Sequence, residues 1–141
     1  TTCTLQPGLY VITNAWTMKN NSMLKGAGVT LYVQTPGSLD FKNGEVDITA
    51  PSTGPLAGLA IVYDRDNHNN LGLQGNGGTS ILGGVYAPAS ALDFNGNSCF
   101  GFGHGPVIVN GVIKANGNHS CVTITNPTDA TIAKSPSHLT Q

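Results

Sequence analysis

At 141 residues the chain is the size of one domain, and its 39% hydrophobic residues are enough to build a core. Only 9% of residues are charged, the net charge is −1, and the six basic residues (Lys19, Lys25, Lys42, Arg65, Lys114, Lys134) are spread along the chain. A nucleic-acid surface or a polybasic membrane patch needs clustered cations, so neither is expected.

In chain order the apolar residues fall into short runs rich in Val, Ile, Thr and Tyr. These are GLYVIT (8–13), VTLYVQ (29–34), EVDITA (45–50), LAIVYD (59–64), GGVYAP (83–88), PVIVNGVIKA (106–115) and CVTIT (121–125). Gly, Pro and Asn separate them, which predicts strands joined by tight turns. Helical spacing of apolar residues never persists for three turns. NAWTMKNNSMLKG (14–26) comes nearest, and its Asn pairs make it a poor helix. No run of about 18 apolar residues exists to span a membrane. The chain begins at Thr1, which points to a processed or excised form with any anchor upstream.

Four segments repeat one pattern: LDFKNG from Leu39, LGLQGNGG from Leu71, LDFNGN from Leu92 and IKANGN from Ile113. The first interval is the longest, and the last two are equal. Recurrence at a period of roughly 20 residues or more is the signature of stacked windings. The expected fold is all-β, a short parallel β-solenoid over residues 1–125 with Asn/Gly corners, followed by a polar tail at 126–141. Leu and Phe of each LDF would point inward and the intervening Asp outward, because the side-chain period of a strand is two. Asn and Gly tolerate the positive φ of tight corners, and stacked Asn side chains can form ladders. The alternative is a β-sandwich with Asn-Gly hairpins.

Of the three cysteines, Cys99 and Cys121 follow equivalent corners and are separated by close to one winding. Stacked strand positions lie about 4.8 Å apart, a span a disulfide bridges, so Cys99–Cys121 is the expected pair and Cys3 is left unpaired; Cys3 bonded to either one is the rival. A disulfide implies an oxidising compartment outside the cytoplasm.

The segments LQPGLYVIT, GAGVTLYVQ, APSTGPLAGLAIVYDRDN, LGLQGNGGTSILGGVYAPASALDFNGNS and VIVNGVIKANGN together resemble the C-terminal region of bacterial Flp pilus-assembly, TadE/G-like (tight adherence) proteins. The resemblance runs from Leu5 to about Thr125 and is most specific in GLAIVYDRDN and GGVYAPASALDFNGN. It implies an extracytoplasmic, cell-surface repeat domain, tied to the membrane only through an N-terminal anchor. Its partners would be other pilus or envelope proteins or a surface glycan. No catalytic residues carry over from it.

Two clusters are candidates for chemistry. DRDNHNN (64–70) offers Asp64 and Asp66 with Asn67 and Asn69 as hard oxygen ligands for Ca²⁺, without the Gly and Glu positions of an EF-hand. Its ordinary role is a solvated loop in which Arg65 pairs with a carboxylate. Asp40 and Asp93 project from one face if the windings stack, and paired carboxylates can cleave glycosides. That would require a groove shared with an aromatic such as Tyr86 or Phe102. The four histidines are scattered, His104 reading as a turn residue in GFGHGP, and QGNGG lacks the Lys-Ser/Thr of a phosphate loop. The balance favours a non-enzymatic structural or adhesive module of the cell surface, with no cofactor. The alternative is a secreted carbohydrate-binding or glycan-cleaving domain.

Overall fold

The computed structural model describes residues 2–74, 79–95, 99–114 and 121–125, with 74, 95, 99–100, 112–114 and 121–125 described by their backbone. The chain winds as a parallel β-solenoid. Its first winding is β1 (Thr2–Leu5), β2 (Gly8–Ile12) and β3 (Ala15–Thr17). The second is β4 (Ser22–Ala27), β5 (Val29–Val33) and β6 (Ser38–Asp40), and the third is β7 (Gly44–Thr49), β8 (Leu59–Tyr63) and β9 (Leu71–Gln74). The fourth consists of β10 (Ser80–Leu82) and the long β11 (Gly84–Asn95), the fifth of β12 (Cys99–Gly103) and β13 (Val107–Lys114). A last strand, β14 (Cys121–Thr125), lies over β12.

Three faces result. The first is the sheet β1-β4-β7-β10-β12-β14. The second is β2-β5-β8 continued by the N-terminal halves of β11 and β13, and the third is β3-β6-β9 continued by their C-terminal halves. β11 turns the corner between faces through a register shift between Ala87 and Ala91 instead of a break. Pairing among the described strands is parallel throughout, so the solenoid stands and the hairpin sandwich does not. Residues 14–26, the nearest approach to a helix, instead supply β3 and β4 around a turn at Asn21, whose φ is 62°.

The core is the inside of the coil. Leu39, Leu71 and Leu92 stack in register on the third face, all buried, and Phe41, Leu73 and Phe94 are buried beside them. The inward Leu and Phe and the outward Asp of the LDF pattern are therefore as expected. The fourth copy is shifted by one position: Val112 is registered to Leu92, and Ile113 to Asp93. The column also begins a winding earlier, at Trp16 over Leu39, with the Trp16 ring edge-on to Phe41 at 5.3 Å. Burying each of these large side chains stabilises the coil by roughly 1.5–3 kcal/mol.

The irregular period of the third winding lies in its corners. On the first face Lys25 is registered to Asp47, a short step. The step lengthens from Leu31 to Ile61 on the second face and from Leu39 to Leu71 on the third, and it is longest from Asp47 to Ser80 back on the first. Eight extra residues are accommodated between the first and second faces, two at the next corner and one at the last, and the columns stay intact. The fifth winding turns tightly against the fourth: a Cβ on Gly105 would lie 2.5 Å from the Gly84 nitrogen, so only glycine fits there.

The expected corners at 75–78, 96–98 and 115–120 and the tail 126–141 lie outside the described residues. Among the described residues no helix is long and apolar enough to cross a membrane.

Candidate functional site

The corner between the second and third faces carries most of the polar structure. In the second winding it is Gln34–Thr35–Pro36–Gly37; in the third it is residues 64–70. Asn67 is fully buried there and donates from Nδ2 to the Gly37 carbonyl at 2.9 Å. Its own carbonyl accepts the buried Ser90 hydroxyl at 2.6 Å, so one polar spine ties the second, third and fourth windings. Asn69 donates to the Pro36 and Gly37 carbonyls at 2.8 and 3.2 Å. At this corner the Asn side chains bond to backbone carbonyls below, rather than to one another as a ladder.

Tyr63 closes the same corner from inside. Its hydroxyl accepts the Leu39 amide and donates to the Asn70 carbonyl, both at 3.0 Å, and burial pushes its phenol well above the ordinary range. Asp64 accepts the Tyr32 hydroxyl at 2.8 Å on Oδ1 and the Thr35 amide at 2.9 Å on Oδ2. The Thr35 amide, then the Tyr32 hydroxyl, hold this carboxyl below the usual carboxylate range. Both Asp64 oxygens, candidates for Ca²⁺ ligands, hold one corner onto another, while Asp66 is exposed. Among the described residues no group of three or more His, Cys, Asp or Glu side chains could hold a metal ion. Arg65, expected to pair with a carboxylate, instead donates to the Tyr86 hydroxyl at 3.4 Å.

Asp40 and Asp93 line one groove on the third face, a cavity of about 400 Å³. Register explains this. Asp40 pairs with Gly72 and Gly72 with Asp93, so the two carboxylates occupy one outward column two windings apart, roughly 10 Å between backbones. Gly72, between them, has no side chain. A Cβ there would lie 3.0 Å from Asp40 Oδ1 and 3.2 Å from Lys42 Cγ, so neighbouring side chains fill its place. The Lys42 stem crosses it and the ammonium reaches Asp93 Oδ2 at 3.0 Å. The Lys42 amide donates to Asp40 Oδ1 at 3.3 Å. The hydrogen bond to Asp93 raises the lysine pKa. The pair is partly sheltered, with Lys42 30% and Asp93 15% exposed. The other Asp93 oxygen, Oδ1, is buried and has no hydrogen-bond partner among the described residues.

The expected aromatic partners are elsewhere. Phe102 is buried in the core on the first face, and the Tyr86 hydroxyl meets Arg65. What the sequence reading missed is Lys42 as the partner of Asp93, far along the chain, and Gly72 as the gap between the carboxylates. The signal was present: aligning LDFK with LGLQ and LDFN puts Gly72 between the two aspartates, with the lysine two positions along.

On the first face, β12 and β14 pair with Cys99 registered to Cys121, the arrangement the repeat predicted; their side chains lie outside the described residues. Cys3 is a free, exposed thiol. Comparison with protein-family models, curated proteins and solved structures returns no match. The resemblance to TadE/G-like proteins therefore rests on the segments that carry it.

Proposed function

We propose that this chain is a non-enzymatic structural or adhesive module of the bacterial cell surface, associated with pilus assembly or surface attachment. The observation that carries the reading is where the reactive side chains are engaged. Asp64, Asn67, Ser90 and Tyr63 link successive windings, and Asp93 is held by Lys42. A carboxylate that must donate or abstract a proton needs a free approach to substrate, and a partner lysine at 3.0 Å opposes that role. A rigid coil with few charges suits contact and assembly, and the outer edges of β1, β2 and β3, unpaired among the described residues, can accept a further strand. A second reading, a glycan-cleaving domain, draws on Asp40 and Asp93 sharing a groove.

Two measurements test the proposal. Antibody labelling or protease shaving of intact bacteria should reach the domain from outside. Incubation with a panel of polysaccharides should release no new reducing ends. Release by the wild type that is abolished in Asp93→Asn would replace the structural reading with the enzymatic one.

A further inference from the structure

We infer that the groove over Ala15 and Ser38, walled by Asn70 on one side and by Asp40 and Asp93 on the other, is a binding site for a neutral, polyhydroxylated ligand of the size of a sugar ring or two. The inference rests on the adhesive reading and names the class of surface it would grip.

The trough exists because outward positions on the third face are small where its neighbours are large. Ala15 and Ser38 share one outward column and leave it low, while in the next column Asp40 and the Lys42 stem cover Gly72 and stand as a wall. The 64–70 corner, two residues longer in register than the one below, carries Asn69 and Asn70 over one rim. Asp40, Lys42 and Asp93 form the other. Its volume of about 400 Å³ lies within the range of small-molecule sites.

Its chemistry is selective. Carboxylate and hydroxyl oxygens accept, the ammonium donates, and the carboxamides do both. A sugar hydroxyl also donates and accepts, so a mixed lining suits it. Two carboxylates against one ammonium disfavour an anion. With no aromatic side chain among the described lining residues, a flat aromatic ligand has nothing there to stack on. The Ser38 hydroxyl and the Asn70 carboxamide have no protein partner among the described residues, so they are available to a ligand without breaking a corner bond. Asp93 Oδ1 is covered, and its role is to anchor Lys42 through the other oxygen. The groups sit on stacked strands or on a corner pinned by Asn67 and Tyr63, so little ordering is needed on binding.

The experiment is an amide-resolved NMR titration of the ¹⁵N-labelled chain with cellobiose, maltotriose and diacetylchitobiose, and with a sulfated disaccharide as the anionic control. Saturable shifts are expected for at least one neutral saccharide, concentrated at 38–42, 69–72 and 91–93. Ser38→Ala with Asn70→Ala should weaken that binding at least tenfold and leave the melting temperature unchanged. Phe102→Leu, buried on another face, should leave the affinity unchanged. Shifts with the sulfated sugar alone, no saturable shift with any neutral one, or affinity indifferent to the double substitution would overturn the inference. Each of those results leaves the surface-labelling outcome untouched, so this site and the adhesive reading fail separately.

Discussion

Two columns on the third face are built from adjacent residues of the same strands, yet they obey different rules. The inward one reads Trp16, Leu39, Leu71, Leu92; the outward one reads Thr17, Asp40, Gly72, Asp93. Inside, each winding must fill the space left by the last, and the three leucines are at most 2% exposed. Outside, water or a neighbouring long side chain can fill a gap, as Lys42 does over Gly72, so the residue type changes freely from one winding to the next. The inward column therefore carries the fold, and any groove can only arise in the outward one, where a small residue interrupts the run. Gly72 is such an interruption, but Asp40 and the Lys42 stem cover it, and the groove opens beside it over Ala15 and Ser38.

The largest effect should come from the inward column. Leu71→Ala removes a fully buried side chain between two others and should cost about 2–5 kcal/mol in urea denaturation. Asp40→Ala, in the outward column one winding below, should cost less than about 1 kcal/mol, in the range of partly exposed polar groups. Equal costs would mean that the columns do not divide the labour this way.

A second test sharpens the same logic on the first face, where like stacks on like. Cys99 and Cys121 are registered partners on adjacent strands. Peptide mapping without reduction should find them joined, with Cys3 alone alkylated. The disulfide should add roughly 3 kcal/mol by closing a loop of about one winding. Alkylation of all three thiols in protein taken from the cell surface would refute the pairing.

The corner separates buried from exposed amides in the same way. Asn67→Ala leaves the Asn69 amide without its partner and the Gly37 carbonyl with only the longer bond from Asn69, and should cost about 1–3 kcal/mol. Asn70→Ala, at an exposed side chain in the same corner, should cost about 0.5 kcal/mol or less. Thermal melts of the two variants compare them directly.

How much of this was legible in the sequence follows from the same division. Leu39, Leu71 and Leu92 aligned by spacing alone because a filled interior repeats its chemistry. The fourth copy misled by one position because Val112 and Ile113 are both β-branched, and apolar character alone does not fix which of the two continues the column. Trp16 was hidden by its polar neighbours, and CFGFG (99–103) by its glycines, yet both segments form strands because a paired neighbour on the stack supplies the hydrogen bonds that propensity would not secure. DRDNHNN read as a solvated loop or a calcium site. Its composition gives no sign that Asn67 is buried, since the Gly37 carbonyl of the winding below and the Asn69 amide are what satisfy its carboxamide and make that burial tolerable. The Lys42–Asp93 pair joins residues two windings apart, and a search for neighbours along the chain does not find it.

The smallest expected effect is a pH dependence at the same corner. The Thr35 amide and the Tyr32 hydroxyl favour the charged form of Asp64, so its pKa is lower in the folded chain than in the unfolded one. The unfolded chain therefore takes up this proton first as pH falls. The stabilisation is complete above the ordinary aspartate value of 3.8 and is lost as pH drops through the depressed folded value. Urea midpoints taken from about pH 6 down to about pH 2 should fall further for the wild type than for Asp64→Asn, with the two curves parting only below about pH 4. Tyr32→Phe should give an intermediate curve, because the Thr35 amide is the larger of the two influences and remains. Curves that stay parallel through the acid range would mean that Asp64 holds the corner by shape, with its charge making no difference.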